Sequence, residues 1–237
     1  MKKLTHDEIA ANRSTLETIH TVKKIPVYVV LNSIRSTYNV GSIFRTSDGV
    51  MIEKLFLCGY TPHPPIKEIV SSNDPKAKRE KSQSTDSKRD SSPAEAGFGM
   101  TDETENLNPV ISMASPEKSL KSAGNKEVLK TALGATESVM WKYVKDAKEV
   151  ILKLKGEGIK ICALEQTSKS IAYNEVTKND FPLCLIVGNE IGGVSQDLID
   201  LCDFSIEIPQ YGIKQSLNVA VAYGIAVFEL RKIYDQD

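Results

Sequence analysis

The 237-residue sequence is poor in cysteine and tryptophan, nearly free of net charge and without a long hydrophobic run, and each shortage excludes a class of protein. Its longest apolar stretch, Val219 to Phe228, is well short of the roughly 20 residues that span a bilayer, so no membrane segment is expected. The four cysteines, Cys58, Cys162, Cys184 and Cys202, lie far apart, with no CxxC pair and no neighbouring histidine. They are read as reduced core residues, and no metal site is expected. Thirty Lys and Arg nearly cancel thirty-one Asp and Glu, which excludes the uniformly basic surface of a protein that coats DNA. Any nucleic-acid contact must be local. The start, Met1 to Arg13, has no apolar core of the kind that marks a secretory signal, so the cytoplasm is the expected compartment. A G-x-G-x-x-G fingerprint is also missing, which counts against a dinucleotide enzyme.

What is present is an ordinary globular composition, 41% hydrophobic and 26% charged, enough for one sizeable core. Short β-branched apolar runs read as buried strands: Lys24 to Leu31, Leu55 to Cys58, the IKICAL run ending at Leu164, Leu183 to Val187, and Phe204 to Ile208. Helical patterns fall between them: Val40 to Val50 opened by Asn39, Tyr143 to Lys155, Ser195 to Cys202, and Ser216 to Tyr234. Buried strands alternating with helices predict an α/β fold, a mostly parallel sheet with helices on both faces and ligands at the carboxyl ends of the strands. From about Ser71 to Asn108 the chain is rich in Ser, Lys, Asp, Glu and Pro and has almost no large aliphatic residue. With order resuming near Glu127, the stretch 71–126 is read as a disordered, low-complexity insertion in a single domain spanning 1–237. Its basic first half and acidic second half leave an RNA-touching arm open beside the blander reading of a tolerated surface insertion.

Three clusters carry chemistry. The first, Asn32 to Asp48, places Asn39, Gly41 and Arg45 in the spacing N-x-G-x-x-x-R. Asn39 reads as a helix cap, Gly41 permits close approach of a ligand or another backbone, and Arg45 follows one turn later, suited to a phosphate or ribose. The alternative is that Arg45 simply pairs with Asp48. The second, Leu183 to Ser195, follows a buried strand with a turn holding Gly188, Glu190 and Gly193. Val194 stands where a phosphate-binding loop needs lysine, so nucleotide hydrolysis is not expected. Glu190 either accepts hydrogen bonds from a ligand or holds the backbone of its own loop. The third, Ile206 to Leu230, has Pro209 ending a strand, Ser216 as a helix cap, and Leu217 and Asn218 in the first helical turn. The helix beyond is apolar nearly all round, which points to a sheet on one side and a partner subunit on the other.

Together, in this order, the clusters resemble the SpoU branch of the SPOUT RNA methyltransferases over residues 26–58 and about 127–232. The matching residues are Asn39, Gly41, Arg45, Gly188, Glu190, Gly193, Pro209, Ser216, Leu217 and Asn218, with LGATESV (Leu133 to Val139) and ALEQT (Ala163 to Thr167) also similar. The resemblance implies a C-terminal deep trefoil knot, S-adenosylmethionine as methyl donor, and transfer to a ribose 2′-hydroxyl of tRNA or rRNA by a homodimer whose subunits share each active site. It further implies that Leu164, Gly188, Ile208 and Leu217 line the cofactor pocket. Arg45 would be catalytic, as proton acceptor or as an orienting group, with its geometry fixed by Asn39, Glu190, Ser216 and Asn218. An arginine is a poor base unless its site is strongly perturbed. Two rivals remain at this point: an RNA-binding protein of the same fold without catalysis, and a different α/β enzyme that uses a nucleotide.

Overall fold

The structure is a computed structural model and describes residues 1–66 and 125–236. The expected insertion therefore lies almost wholly outside the described residues. Its far boundary moves, because Asn125 already caps a helix that begins at Lys126.

Strand β1 (Ile25–Asn32) is followed by helix α2 (Thr37–Val50) and strand β2 (Ile52–Cys58), after a short α1 (His6–Ala10). After the undescribed segment come α3 (Lys126–Ala132), α4 (Ala135–Ser138), β3 (Trp141–Val144), α5 (Ala147–Gly156), β4 (Lys160–Leu164) and β5 (Ile171–Ala172). The chain ends with β6 (Leu183–Val187), α6 (Gln196–Ile199), β7 (Phe204–Glu207) and α7 (Val219–Asp235). No helix among the described residues is long and apolar enough to cross a membrane.

The strands form one seven-stranded sheet in the order β3-β2-β1-β6-β4-β7-β5, with every pairing parallel. The first three strands step outward from β1. The chain then crosses over to lay down β4 and β5, and returns to insert β6 between β1 and β4 and β7 between β4 and β5. Alternation along the strands divides the core into two layers, as a sheet covered on both sides requires. Val29 and Leu31 of β1 and Leu185 and Val187 of β6 pack with α2, α3 and α7, whereas Val30, Cys184 and Ile186 face α5 and α6. Cys58, Cys162 and Cys184 are buried free thiols, and burial pushes Cys58 up to about 12.

Several element boundaries differ from the sequence reading, each for a local reason. Tyr143 and Val144 belong to β3, because Asp146 caps the next helix by accepting from Lys148 N and so starts α5 at Ala147. The residues WKYV are β-formers whose spacing happens to continue the helical period. Asn39 is not the cap of α2: Ser36 is, its hydroxyl accepting from Asn39 N at 3.3 Å. Likewise Ser216 does not cap α7, since Asn218 does, its Oδ1 accepting from Ala220 N at 2.9 Å and Val221 N at 3.4 Å.

Candidate active site

The carboxyl ends of three neighbouring strands, β6, β4 and β7, open into one cleft with a volume of about 180 Å³. Leu164 closes β4, Gly188 follows β6, and Ile208 follows β7, while Leu217 comes from the loop that leads into α7. All four line this cleft, together with Glu190 and Ser216. Parallel strands end on the same side of the sheet, so residues far apart in sequence meet there.

Gly188 has a definite packing role. A Cβ there would overlap the backbone of Gly193 and Val194, so the glycine lets the loop fold flat upon itself. The turn is closed by paired backbone bonds, Asn189 N to Gly193 O at 3.0 Å and Gly193 N to Asn189 O at 2.9 Å. It leaves Glu190 pointing at the start of α2. The Glu190 carboxylate accepts from Arg35 N at 2.9 Å, Ser36 N at 3.1 Å and Asn39 Nδ2 at 3.0 Å. Burial alone would raise its pKa, but these donors outweigh burial and hold the carboxyl below its ordinary value. Asn218 Nδ2 in turn donates to Asn39 Oδ1 at 3.1 Å. Three residues from three separate clusters therefore form one chain, Glu190–Asn39–Asn218. Asn39 can serve in it because Ser36, by taking the cap, leaves the asparagine amide free.

Gly41 and Arg45 stand apart from this chain. A Cβ on Gly41 would overlap the Thr131 side chain, so the glycine admits α3 rather than a ligand. Arg45 is exposed, lies outside the cleft lining, and has no hydrogen bond or ion pair among the described residues. The expected alternative pairing with Asp48 is not formed, since Asp48 instead accepts from the Ser138 hydroxyl. Neither Ser216 nor the Glu190–Asn39–Asn218 chain holds the Arg45 guanidinium within this chain. Arg45 shares an exposed stripe of α2 with Tyr38, Ser42 and Gly49.

Sequence reasoning passed over several cleft residues. Glu165 and Gln166 follow the end of β4, with Glu165 Oε2 accepting from Val194 N at 2.9 Å and Gln166 Nε2 donating to Gln215 O at 2.6 Å. A polar pair closing a buried strand was the available signal. Asn189 organises the glycine turn, its Oδ1 accepting from Ile191 N at 2.9 Å and Gly192 N at 3.1 Å. Glu207 also lines the cleft and accepts from Ser170.

Residues 111–228 match the model of the SpoU rRNA Methylase family. Within this stretch, just under half of the chain, the sequence is that of a SpoU-type domain. The matched range takes in the second and third clusters and begins inside the stretch read as an insertion, whereas the Asn39–Arg45 cluster precedes it. Among curated SpoU-type relatives, a tRNA (guanosine(18)-2′-O)-methyltransferase from Aquifex aeolicus is 36% identical over 99 residues, 42% of this chain and 46% of that protein. The chain thus spans about half the length of the curated relatives it matches. The crystal structure of the A. aeolicus TrmH/SpoU tRNA modifying enzyme shares the fold, with a TM-score of 0.60 at 22% identity over 92% of this chain and 81% of that one. The SpoU methyltransferase AviRb from Streptomyces viridochromogenes, in complex with the cofactor AdoMet, superposes with a TM-score of 0.57 at 18% identity, over 92% of this chain and 64% of that one.

Proposed function

We propose that this chain is a SpoU-family, S-adenosylmethionine-dependent RNA methyltransferase that modifies a ribose 2′-hydroxyl of tRNA or rRNA, acting as a cytoplasmic homodimer. The observation that carries the proposal is the convergence of Leu164, Gly188, Ile208 and Leu217 on one cleft beside the Glu190–Asn39–Asn218 chain. The relatives named above support the choice of reaction, and the AdoMet complex of the AviRb fold supports the choice of donor.

The cleft suits this donor chemically. Aliphatic side chains of Leu164, Ile208 and Leu217 offer an apolar slot for a purine, and the Glu165, Glu190 and Glu207 carboxylates set negative charge around a cation. When bound, S-adenosylmethionine supplies a methyl carbon activated by its sulfonium. The protein's task is then alignment of the attacking oxygen and removal of its proton. Glu190, fixed by its three donors, holds the start of α2 against the cleft, and Asn218 holds α7 to the same point. Arg45 orients the ribose or its phosphate, or takes the hydroxyl proton. Its distance from the cleft lining within one chain is consistent with a shared site, in which a second copy covers the exposed face formed by α2 and α7. Val221, Ile225 and Phe228 make that face apolar. The knot is the finer reading of the fold, supported by the late insertion of β6 and β7 between strands already laid down; the stretch 71–126 is read as an insertion within the single domain.

Calorimetry with S-adenosylhomocysteine is expected to show micromolar binding, with none for ATP or NAD. Arg45→Ala keeps that binding and loses methyl transfer, read by mass spectrometry of nucleosides from RNA of a strain lacking the protein and carrying the variant. Full turnover by Arg45→Ala would overturn its assigned role. Persistence of every ribose mark in the deletion strain would favour the non-catalytic alternative.

A further inference from the structure

Beyond the cleft, the carboxyl ends of β1 and β2 continue the same rim, and their side chains have no part in the site described so far. Both strands end in left-handed backbone, Ser33 at φ 61° and Gly59 at φ 63°, and a Cβ on Gly59 would overlap the Ser33 hydroxyl. The two turns are therefore pressed together, and Thr61 locks them, its hydroxyl accepting from Ile34 N at 3.1 Å and donating to carbonyls of Leu31 and Cys58. Asn189, from the cleft's glycine turn, ties this rim to the cleft. Its Nδ2 donates to Ser33 O at 2.8 Å and lies 2.8 Å from the Tyr60 hydroxyl.

Two side chains project from this fixed platform. Tyr60 is 58% exposed and its ring stacks on no other ring among the described residues. Arg35 is exposed, and its guanidinium has no hydrogen bond or ion pair among the described residues, only its backbone N–H being engaged by Glu190. The nearby carboxylate, Glu190, is already held by three donors. An aromatic ring tied to Asn189 and an unpaired guanidinium on the backbone held by the adjacent Glu190 match an unstacked nucleotide, the ring taking the base and the cation the phosphate. We infer that Tyr60 and Arg35 form a nucleotide subsite for single-stranded RNA, contiguous with the cleft across Asn189. This inference rests on the methyltransferase reading for its placement beside the reacting ribose. It adds that the substrate presents its target region unpaired.

The test uses the full chain and a fluorescein-labelled 12-nucleotide oligouridylate, alone or annealed to oligoadenylate, followed by fluorescence anisotropy. The single strand is expected to bind more tightly than the duplex. Tyr60→Ala weakens single-strand binding about tenfold, whereas Tyr60→Phe, which keeps the ring and loses the bond to Asn189, stays near the parent. Arg35→Gln flattens the salt dependence of log affinity by about 0.7. Equal losses in Tyr60→Ala and Tyr60→Phe would reduce Tyr60 to a brace for the loop and overturn the subsite, as would an unchanged salt slope in Arg35→Gln. A halved mass of Tyr60→Ala in light scattering would make the patch a contact between copies instead. S-adenosylhomocysteine titrations of the parent chain separate the two proposals. No binding there with the RNA results intact removes the methyltransferase reading alone, and binding there with RNA affinity indifferent to Tyr60 removes the subsite alone.

Discussion

The two helical faces of the sheet are finished differently. On the side of α5 and α6, the outer surface is closed by ion pairs: Lys148 with Asp197 at 3.2 Å, Lys155 with Asp203 at 2.8 Å and Lys153 with Glu157 at 4.0 Å. On the side of α2 and α7, ion pairs lie on the last turns of α7, Arg231 with Asp235 at 2.6 Å and Lys232 with Glu229 at 2.9 Å, and on α3, whereas Tyr38 is 71%, Val221 51% and Phe228 54% exposed and Arg45 has no ion pair among the described residues. Both faces bury apolar residues inward, the larger cluster lying on the side of α2 and α7, so the difference lies in the outer surfaces. A charged outer face is stable in water by itself, whereas exposed Val221 and Phe228 leave apolar area that the proposed second copy would cover.

Substitutions can break or sharpen that contrast. The largest loss of stability is expected from Gly41→Ala, where α2 must back away from Thr131: about 3 kcal/mol in denaturant unfolding, against almost nothing if α3 docks loosely. Next is Phe228→Lys on the bare face, which should weaken self-association by about 2 kcal/mol or more, read as a shift to the single-chain mass in light scattering. A single-chain mass at every concentration of the parent chain would remove the contrast's meaning. Glu190→Gln keeps the shape but forfeits acceptance from one of three donors and should cost about 1–2 kcal/mol at neutral pH. Because the folded-state pKa of Glu190 lies below its ordinary 4.5, its stabilisation is complete above that value and disappears as pH falls through the lowered one. The gap between Glu190→Gln and the parent should therefore narrow in acid, measured by urea unfolding at a series of pH values; a gap that widens would contradict the hydrogen-bond account. Smallest is Leu152→Lys on the ion-paired face, although Leu152 is 56% exposed. It should change stability by less than about 0.5 kcal/mol and leave the mass unchanged.

Much of the fold was legible in the sequence where burial is two-sided. β6 was found as Leu183 to Val187 because five apolar residues in a row can only be a covered strand or a core helix, and the glycine turn limits its length. The short edge strands β3 and β5 were missed, since four and two residues carry too little periodicity to stand out. Caps were placed three residues late in α2 and two early in α7, because Ser and Asn compete for the same role and their order depends on which side chain is needed elsewhere. Asn39 was read as a helix cap, whereas its amide bridges Glu190 and Asn218 instead.

Residue types and their spacing thus determined on their own a parallel α/β core, its principal strands, and three clusters that resemble a family pattern, because hydrophobic period and glycine turns are local properties. The strand order, the meeting of Glu190 with Asn39 and of Asn39 with Asn218, and the packing tasks of Gly41 and Gly188 were decided only by the tertiary structure. Each depends on which backbones approach one another across ninety residues or more or within a folded loop, and no one-dimensional period encodes that distance.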